Sequence, residues 1–166
     1  MESNEKQKIG LNRNSIDKYY TKKHVVASCL HVFQEIIQIN PNDVIVEPSA
    51  GNGSFIDGIK AITKNYKFFD IEPEHNEITK QDFLVYDPSE IRTNFQNIHI
   101  LGNPPFGRQS SSVIKFIKKS CEFCDTISFI LPKSFKKQSL QKTFPLHFHL
   151  LFQMDLSEKS FLVGDI

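Results

Sequence analysis

Val44-Ile45-Val46-Glu47-Pro48-Ser49-Ala50-Gly51-Asn52-Gly53-Ser54-Phe55 decides how this chain folds. Three β-branched residues in a row form a short strand buried on both faces, and an acid, Glu47, closes it. A loop with two glycines follows, and then Phe55, Ile56, Ile59 and Ile62 recur at helical spacing. Strand, glycine loop and helix in that order let backbone amides and a helix N-terminus approach a ligand closely. Gly51 and Gly53 lack the Cβ atoms that would bar that approach. Gly-x-Gly alone is a weak signal. The strand before it, the helix after it and the acid at the strand end make it a candidate ligand loop.

Upstream, residues 1–14 are polar and without periodicity, which reads as a mobile arm and leaves 15–166 as a single domain. Tyr19-Tyr20-Thr21-Lys22-Lys23 leads into a helix over 23–38, carried by Val25, Val26, Cys29, Leu30, Phe33, Ile36 and Ile37. Asn40-Pro41-Asn42 stops it.

Downstream, Tyr66-Lys67-Phe68-Phe69 reads as a second strand ending in Asp70-Ile71-Glu72-Pro73. Asp70 lies about 20 residues beyond the glycine loop, where a doubly wound fold offers a carboxylate to ribose hydroxyls. Gln81-Asp82-Phe83-Leu84 is a strand-to-loop junction that joins an acid to an aromatic, a place suited to an adenine ring. Phe95 to Leu101 is the next strand, and it delivers Asn103-Pro104-Pro105-Phe106. Two consecutive prolines fix φ and remove two donors, so no ladder continues there. The Asn103 side-chain oxygen and the Pro104 carbonyl are left as a rigid pair of acceptors for an –NH2 group, with the Phe106 ring beside them.

The remaining chain alternates in the same way. Val113 to Ile117 predicts a helix with Lys115, Lys118 and Lys119 on its wet side, and Thr126 to Leu131 predicts another buried strand. Lys133, Lys136 and Lys137 follow in a loop or short helix. Leu146 to Leu156 and Ser160 to Val163 read as two terminal strands forming an antiparallel pair. The fold class is therefore α/β, an open and mostly parallel Rossmann-like sheet with helices on both faces. Ligands in such sheets bind at strand carboxyl ends near the switch point, where both the glycine loop and Asn103-Pro104-Pro105-Phe106 fall.

Net charge is only +1, but residues 104–142 carry eight basic and two acidic groups, a local +6 that suits a polyanionic partner such as nucleic acid. No apolar run approaches the roughly 18 residues of a membrane span, and the charged, polar start is not a signal peptide. Three cysteines without a secretory signal point to a reducing compartment, hence an intracellular protein of cytoplasm or nucleus. Cys121 and Cys124 have metal-ligand spacing, and His147 and His149 could add two donors, but the glycine-rich knuckle of zinc sites is missing. The cysteines are read as helix-end packing and the histidines as exposed positions on one face of a strand, with no metal expected.

Taken in order, Tyr20-Thr21, the Glu47–Phe55 loop, Asp70, Asp82-Phe83 and Asn103-Pro104-Pro105-Phe106 resemble the S-adenosylmethionine-dependent amino-methyltransferases. The resemblance covers roughly residues 19–135 and is to the branch that methylates N6 of adenine in DNA or RNA. It implies S-adenosyl-L-methionine as cofactor, with Pro48, Ala50, Gly51, Gly53 and Phe55 cradling its methionine end and Glu47 approaching its amino group. It places Asp70 at the ribose, Asp82 and Phe83 at the cofactor adenine and Thr21 at the amino acid, and counts Ile71 among the cofactor-binding residues. Asn103, Pro104, Pro105 and Phe106 become the catalytic tetrapeptide, Asn103 also bordering the cofactor. Phe106 stacks on the target base, and Arg108, Lys133, Lys136 and Lys137 meet the nucleic acid.

Two features depart from the family. Lys22 stands where the family has proline, and there is no room for a separate target-recognition domain. The chain is cut short, or a protein partner supplies recognition, or shape and backbone charge suffice. Two other readings share these residues: a protein-glutamine amide methyltransferase, in which Tyr more often replaces Phe106, and an inactive methyltransferase-fold subunit supporting a partner.

Overall fold

The computed structural model describes residues 19–157 and 159–163; the arm expected over 1–14 lies outside them. A three-residue strand, β1 (Tyr19–Thr21), leads into helix α1 (Lys23–Ile36). The sequence then alternates through β2 (Val44–Glu47), α2 (Ile56–Ile62), β3 (Tyr66–Asp70) and β4 (Thr79–Lys80). Next come α3 (Ser89–Asn94), β5 (Ile98–Gly102), α4 (Ser111–Cys121) and β6 (Thr126–Phe129). A single turn, α5 (Gln138–Gln141), and a last strand, β7 (Phe161–Val163), complete the order.

Strands β4-β3-β2-β5-β6 form one parallel sheet, with register pairs such as Glu47 to Phe68 and Val46 to Ile100. The chain winds outward from β2 to β4 and then returns to β5 on the other side of β2. That reversal is the switch point, and the carboxyl ends of β2 and β5 flank it.

Helices cover both faces, as the continuous apolar strands require. Ile45, Phe68 and Leu101 pack against Val26, Leu30 and Phe33 of α1 and Ile56 and Ile59 of α2. Val44, Val46, Phe69 and Ile100 point the other way, toward Phe83, Ile91 of α3 and Phe123. A smaller cluster joins Val113 and Ile117 of α4 to Phe135, with Phe106 at its margin.

At the amino end of β2, away from the switch point, Asp43 is fully buried. It accepts from the Asn40 backbone N–H at 2.9 Å, from Asn97 Nδ2 at 2.8 Å and from His99 Nε2 at 3.0 Å. The other His99 nitrogen lies 2.8 Å from Thr126 Oγ1. This network ties the turn before β2 to β5 and β6.

The antiparallel pair exists, but its partners differ from those expected. β7 pairs with β1, matching Thr21 to Phe161 and Tyr19 to Val163. Residues 146–156 form no strand, and Leu146, Leu150, Leu151 and Phe152 are exposed. Alternating apolar residues specify a strand only when a neighbour supplies the ladder, and among the described residues none does. No helix among the described residues is long and apolar enough to cross a membrane.

Candidate functional site

Glu47 ends β2 and turns its side chain inward, where it is 2% exposed. Its Oε2 is buried and meets no hydrogen-bond partner among the described residues. Burial, with the Asp70 charge adding to it, pushes the Glu47 carboxyl well above the ordinary carboxylate range. Space for that side chain comes from Gly102 at the end of β5, whose φ is +151°. A Cβ at Gly102 would stand 3.0 Å from Glu47 Cγ.

The glycine loop curls over the end of β3. Gly51 (φ +58°) and Gly53 (φ +86°) adopt left-handed backbone that other residues rarely take. Ala50 N–H donates to the Phe69 carbonyl at 2.8 Å and Gly51 N–H to Asp70 Oδ2 at 2.8 Å. Asp70 Oδ1 accepts from Glu72 N–H, also at 2.8 Å. Each Asp70 oxygen thus holds one backbone amide and keeps capacity for another donor.

β1 lies across this loop. The Tyr20 ring stands over Gly51, and its hydroxyl reaches both carboxylate oxygens of Glu74 at 2.7 Å. Residues of β1, the loop and Asn103 enclose a cavity of about 30 Å³, room for one or two waters.

Asn103 borders the cavity from β5. Ser49 Oγ donates to its backbone carbonyl at 3.1 Å. Its side-chain Nδ2 donates to the Tyr19 carbonyl at 3.4 Å and to Thr21 Oγ1 at 3.3 Å. Among the described residues, no donor reaches the Asn103 side-chain oxygen or the Pro104 carbonyl. Phe106 is half-buried on the α4 side, and its carbonyl accepts from Ser112 and Val113 N–H. The serine-rich stretch after it is a tight turn into α4, with Gln109 (φ 52°) and Ser110 (φ 62°) in left-handed backbone.

The structure gathers Thr21, Glu47, Ala50, Gly51, Phe55 and Asn103 around one cavity. Asp70 is tied to that group through Gly51, and Asp82 follows at one further remove, since Gln81 N–H donates to the Asp70 carbonyl at 2.9 Å. Ile71 is exposed at the rim, and Pro48 lies buried in the loop. Phe83 is placed otherwise than the sequence reading implied. Phe83 is 1% exposed, and its ring stacks on that of Phe116 with centroids 5.5 Å apart within the core. Asp82 instead caps the short turn that follows by accepting from Leu84 N–H at 2.9 Å.

Arg108, Lys133 and Lys137 are exposed, while Lys136 bridges to Asp155 at 2.6 Å. Cys121 ends α4, and burial raises its thiol to about 11, while Cys124 is pushed up further. Such thiols are packing groups rather than nucleophiles.

Sequence reasoning missed Ser49 and Tyr20 as site braces, although both stand inside the stretches it singled out. Glu74 carries no local signal, because its role depends on β1 crossing the loop.

A five-stranded parallel sheet of this order, with a glycine loop at the switch point, is a Rossmann-like fold consistent with a methyltransferase domain. Over residues 38–166 the chain matches the EDM2 methyltransferase-like domain, and it belongs to that family. No curated protein matches the chain.

Proposed function

We propose that this domain is an S-adenosyl-L-methionine-dependent methyltransferase acting on the N6 amino group of adenine in DNA or RNA. The observation that carries the reading is that, among the described residues, no donor reaches the Asn103 side-chain oxygen or the Pro104 carbonyl, while Glu47 Oε2, buried at the cavity that Asn103 borders, meets no hydrogen-bond partner.

The residues fit the cofactor. Glu47 Oε2, without a hydrogen-bond partner among the described residues, is an acceptor suited to an ammonium group once the carboxyl is ionised. The remaining capacity of Asp70 suits vicinal hydroxyls, and Asp82, linked to it through Gln81, is the residue for the cofactor adenine. Cofactor sites run to about 300 Å³ or more, larger than this cavity, and the Tyr20 ring over Gly51 forms part of its wall.

When bound, the cofactor supplies an electrophilic methyl group on a sulfonium. An exocyclic amine is a poor nucleophile because its lone pair is delocalised into the ring. Donating its two hydrogens to the Asn103 oxygen and the Pro104 carbonyl favours a pyramidal nitrogen with a directed lone pair. The same dipoles stabilise positive charge developing on that nitrogen, and positioning supplies the rest. The methylated nitrogen is strongly acidic and loses its proton to water, so no general base is needed. Phe106 is the stacking surface for an extruded base, and Arg108, Lys133, Lys136 and Lys137 are the backbone contacts. Target choice is left to a protein partner or to the shape of the nucleic acid.

Calorimetric titration with S-adenosylhomocysteine tests the cofactor half of this reading. Binding at one site is expected, and absence of binding by folded protein would favour a scaffold-like role.

A further inference from the structure

Asn103 can serve as an acceptor only if its amide is turned the right way, and what turns it lies outside the tetrapeptide. The nitrogen end of the amide faces the Tyr19 carbonyl and the Thr21 hydroxyl. A hydroxyl would tolerate either end, but a carbonyl can only accept, so the Tyr19 oxygen requires the –NH2 group there. The oxygen is thereby directed away from β1. Donation by the –NH2 group also polarises the amide and strengthens its oxygen as an acceptor.

β1 is itself held from two sides. β7 pairs with it along all three residues, and Lys22 N–H donates to the carbonyl of buried Ser160 at 3.0 Å. On the other side Tyr20 reaches Glu74, and Thr21 is 6% exposed, so water does not compete freely for its hydroxyl. Ser49 fixes the Asn103 backbone independently through its carbonyl. The side chain is held through its –NH2 group by β1, which thereby sets the end of the amide that faces outward.

We infer that the Tyr19 carbonyl sets the orientation of the Asn103 amide, oxygen outward, and that Thr21, whose hydroxyl accepts from the same –NH2 group, is a positioning residue that holds it there, selecting a substrate amino group over a carbonyl. A flipped amide would present a donor and repel an –NH2 group. This rests on the proposed reaction for its catalytic consequence, though not for the geometry. Thr21 lies before the part of the chain that matches the family, which begins at residue 38.

The test compares Thr21→Val, which keeps shape but loses the hydroxyl, with Thr21→Ser, which restores it. Two readouts are taken on the full chain. In ¹⁵N-labelled protein the Asn103 side-chain –NH2 resonances, identified by their loss in Asn103→Asp, should shift in Thr21→Val and return in Thr21→Ser. In methyl-transfer assays on adenine-containing oligonucleotides, Thr21→Val should lower kcat at least tenfold. Because Thr21 also borders the candidate cofactor cavity, kcat is read at saturating cofactor with S-adenosylhomocysteine affinity measured beside it, and Thr21→Ser should recover most of the rate. If Thr21→Val does not fold, Thr21→Ala takes its place. Unmoved amide resonances in the valine variant overturn the inference, whatever happens to kcat, as does an unchanged kcat in an active enzyme. Shifted resonances in a protein that methylates no adenine would refute the proposed reaction while leaving the positioning role standing.

Discussion

Gly102 and Glu47 occupy one space between them: a Cβ on the glycine would press on the buried stem of the glutamate at 3.0 Å. The end of β5 is therefore built around the side chain that ends β2. Gly102→Ala must push Glu47 aside and also strain a backbone at φ +151°. A loss of about 1–3 kcal/mol in denaturant-monitored stability is expected, together with weaker S-adenosylhomocysteine binding. Unchanged stability and affinity would show that the contact relaxes without consequence.

Glu47 should make cofactor binding depend on pH. Burial holds its carboxyl protonated above the usual range, whereas an ammonium ligand needs it ionised. Affinity should therefore rise with pH, up to about tenfold per unit, until the raised folded value is passed. Because that value is raised on folding, Glu47 lowers stability once pH exceeds its unfolded value. Glu47→Gln should flatten the affinity profile, weaken binding and leave the fold intact. A profile that keeps its slope in the variant assigns the dependence to another group.

Asp70 carries two duties, anchoring Gly51 and facing the ribose. Asp70→Ala should weaken S-adenosylhomocysteine binding about tenfold or more and leave two backbone amides without their acceptor, costing about 1–3 kcal/mol. Asp70→Asn removes the charge that helps to raise Glu47, so the pH profile of binding should move to lower pH. Unchanged affinity in both variants would take Asp70 out of the site.

Far from the site, the Asp43 network sets acid stability. Burial alone would raise the Asp43 carboxyl, but hydrogen bonds from Asn40, His99 and Asn97 outweigh it and hold the carboxyl below the ordinary range. A depressed folded value means stability that is present above the unfolded value and lost as pH falls through the folded one. Asp43→Ala should cost about 3 kcal/mol by stranding buried donors, and should flatten the stability profile below about pH 4. A thermal melt as cooperative and as high as that of the parent protein would contradict this.

Much of this architecture was legible in the chain. Val44 to Phe55 announced strand, loop and helix because the β-branched run, the glycines and the helical spacing are local signals. Asn103-Pro104-Pro105-Phe106 was legible because proline chemistry ends a strand wherever it falls. What stayed hidden depends on partners distant in sequence. β1 is three residues long and exists through its pairing with β7, some 140 residues later. The segment from Leu146 to Leu156 carries a strand pattern and finds no ladder, while Phe83 reads as a site aromatic and packs as core. The amide lock on Asn103 joins β1 to β5, a connection no local pattern encodes.

The central claim is methyl transfer to an adenine amino group, and the measurement that meets it most directly uses labelled S-adenosyl-L-methionine. Purified protein is incubated with adenine-containing DNA, RNA and glutamine-bearing peptides, and the products are digested and resolved by mass spectrometry. The account predicts labelled N6-methyladenine from a nucleic acid, abolished by Asn103→Ala while S-adenosylhomocysteine affinity stays within a few fold. Label on glutamine, or no label from protein that binds S-adenosylhomocysteine, would contradict it.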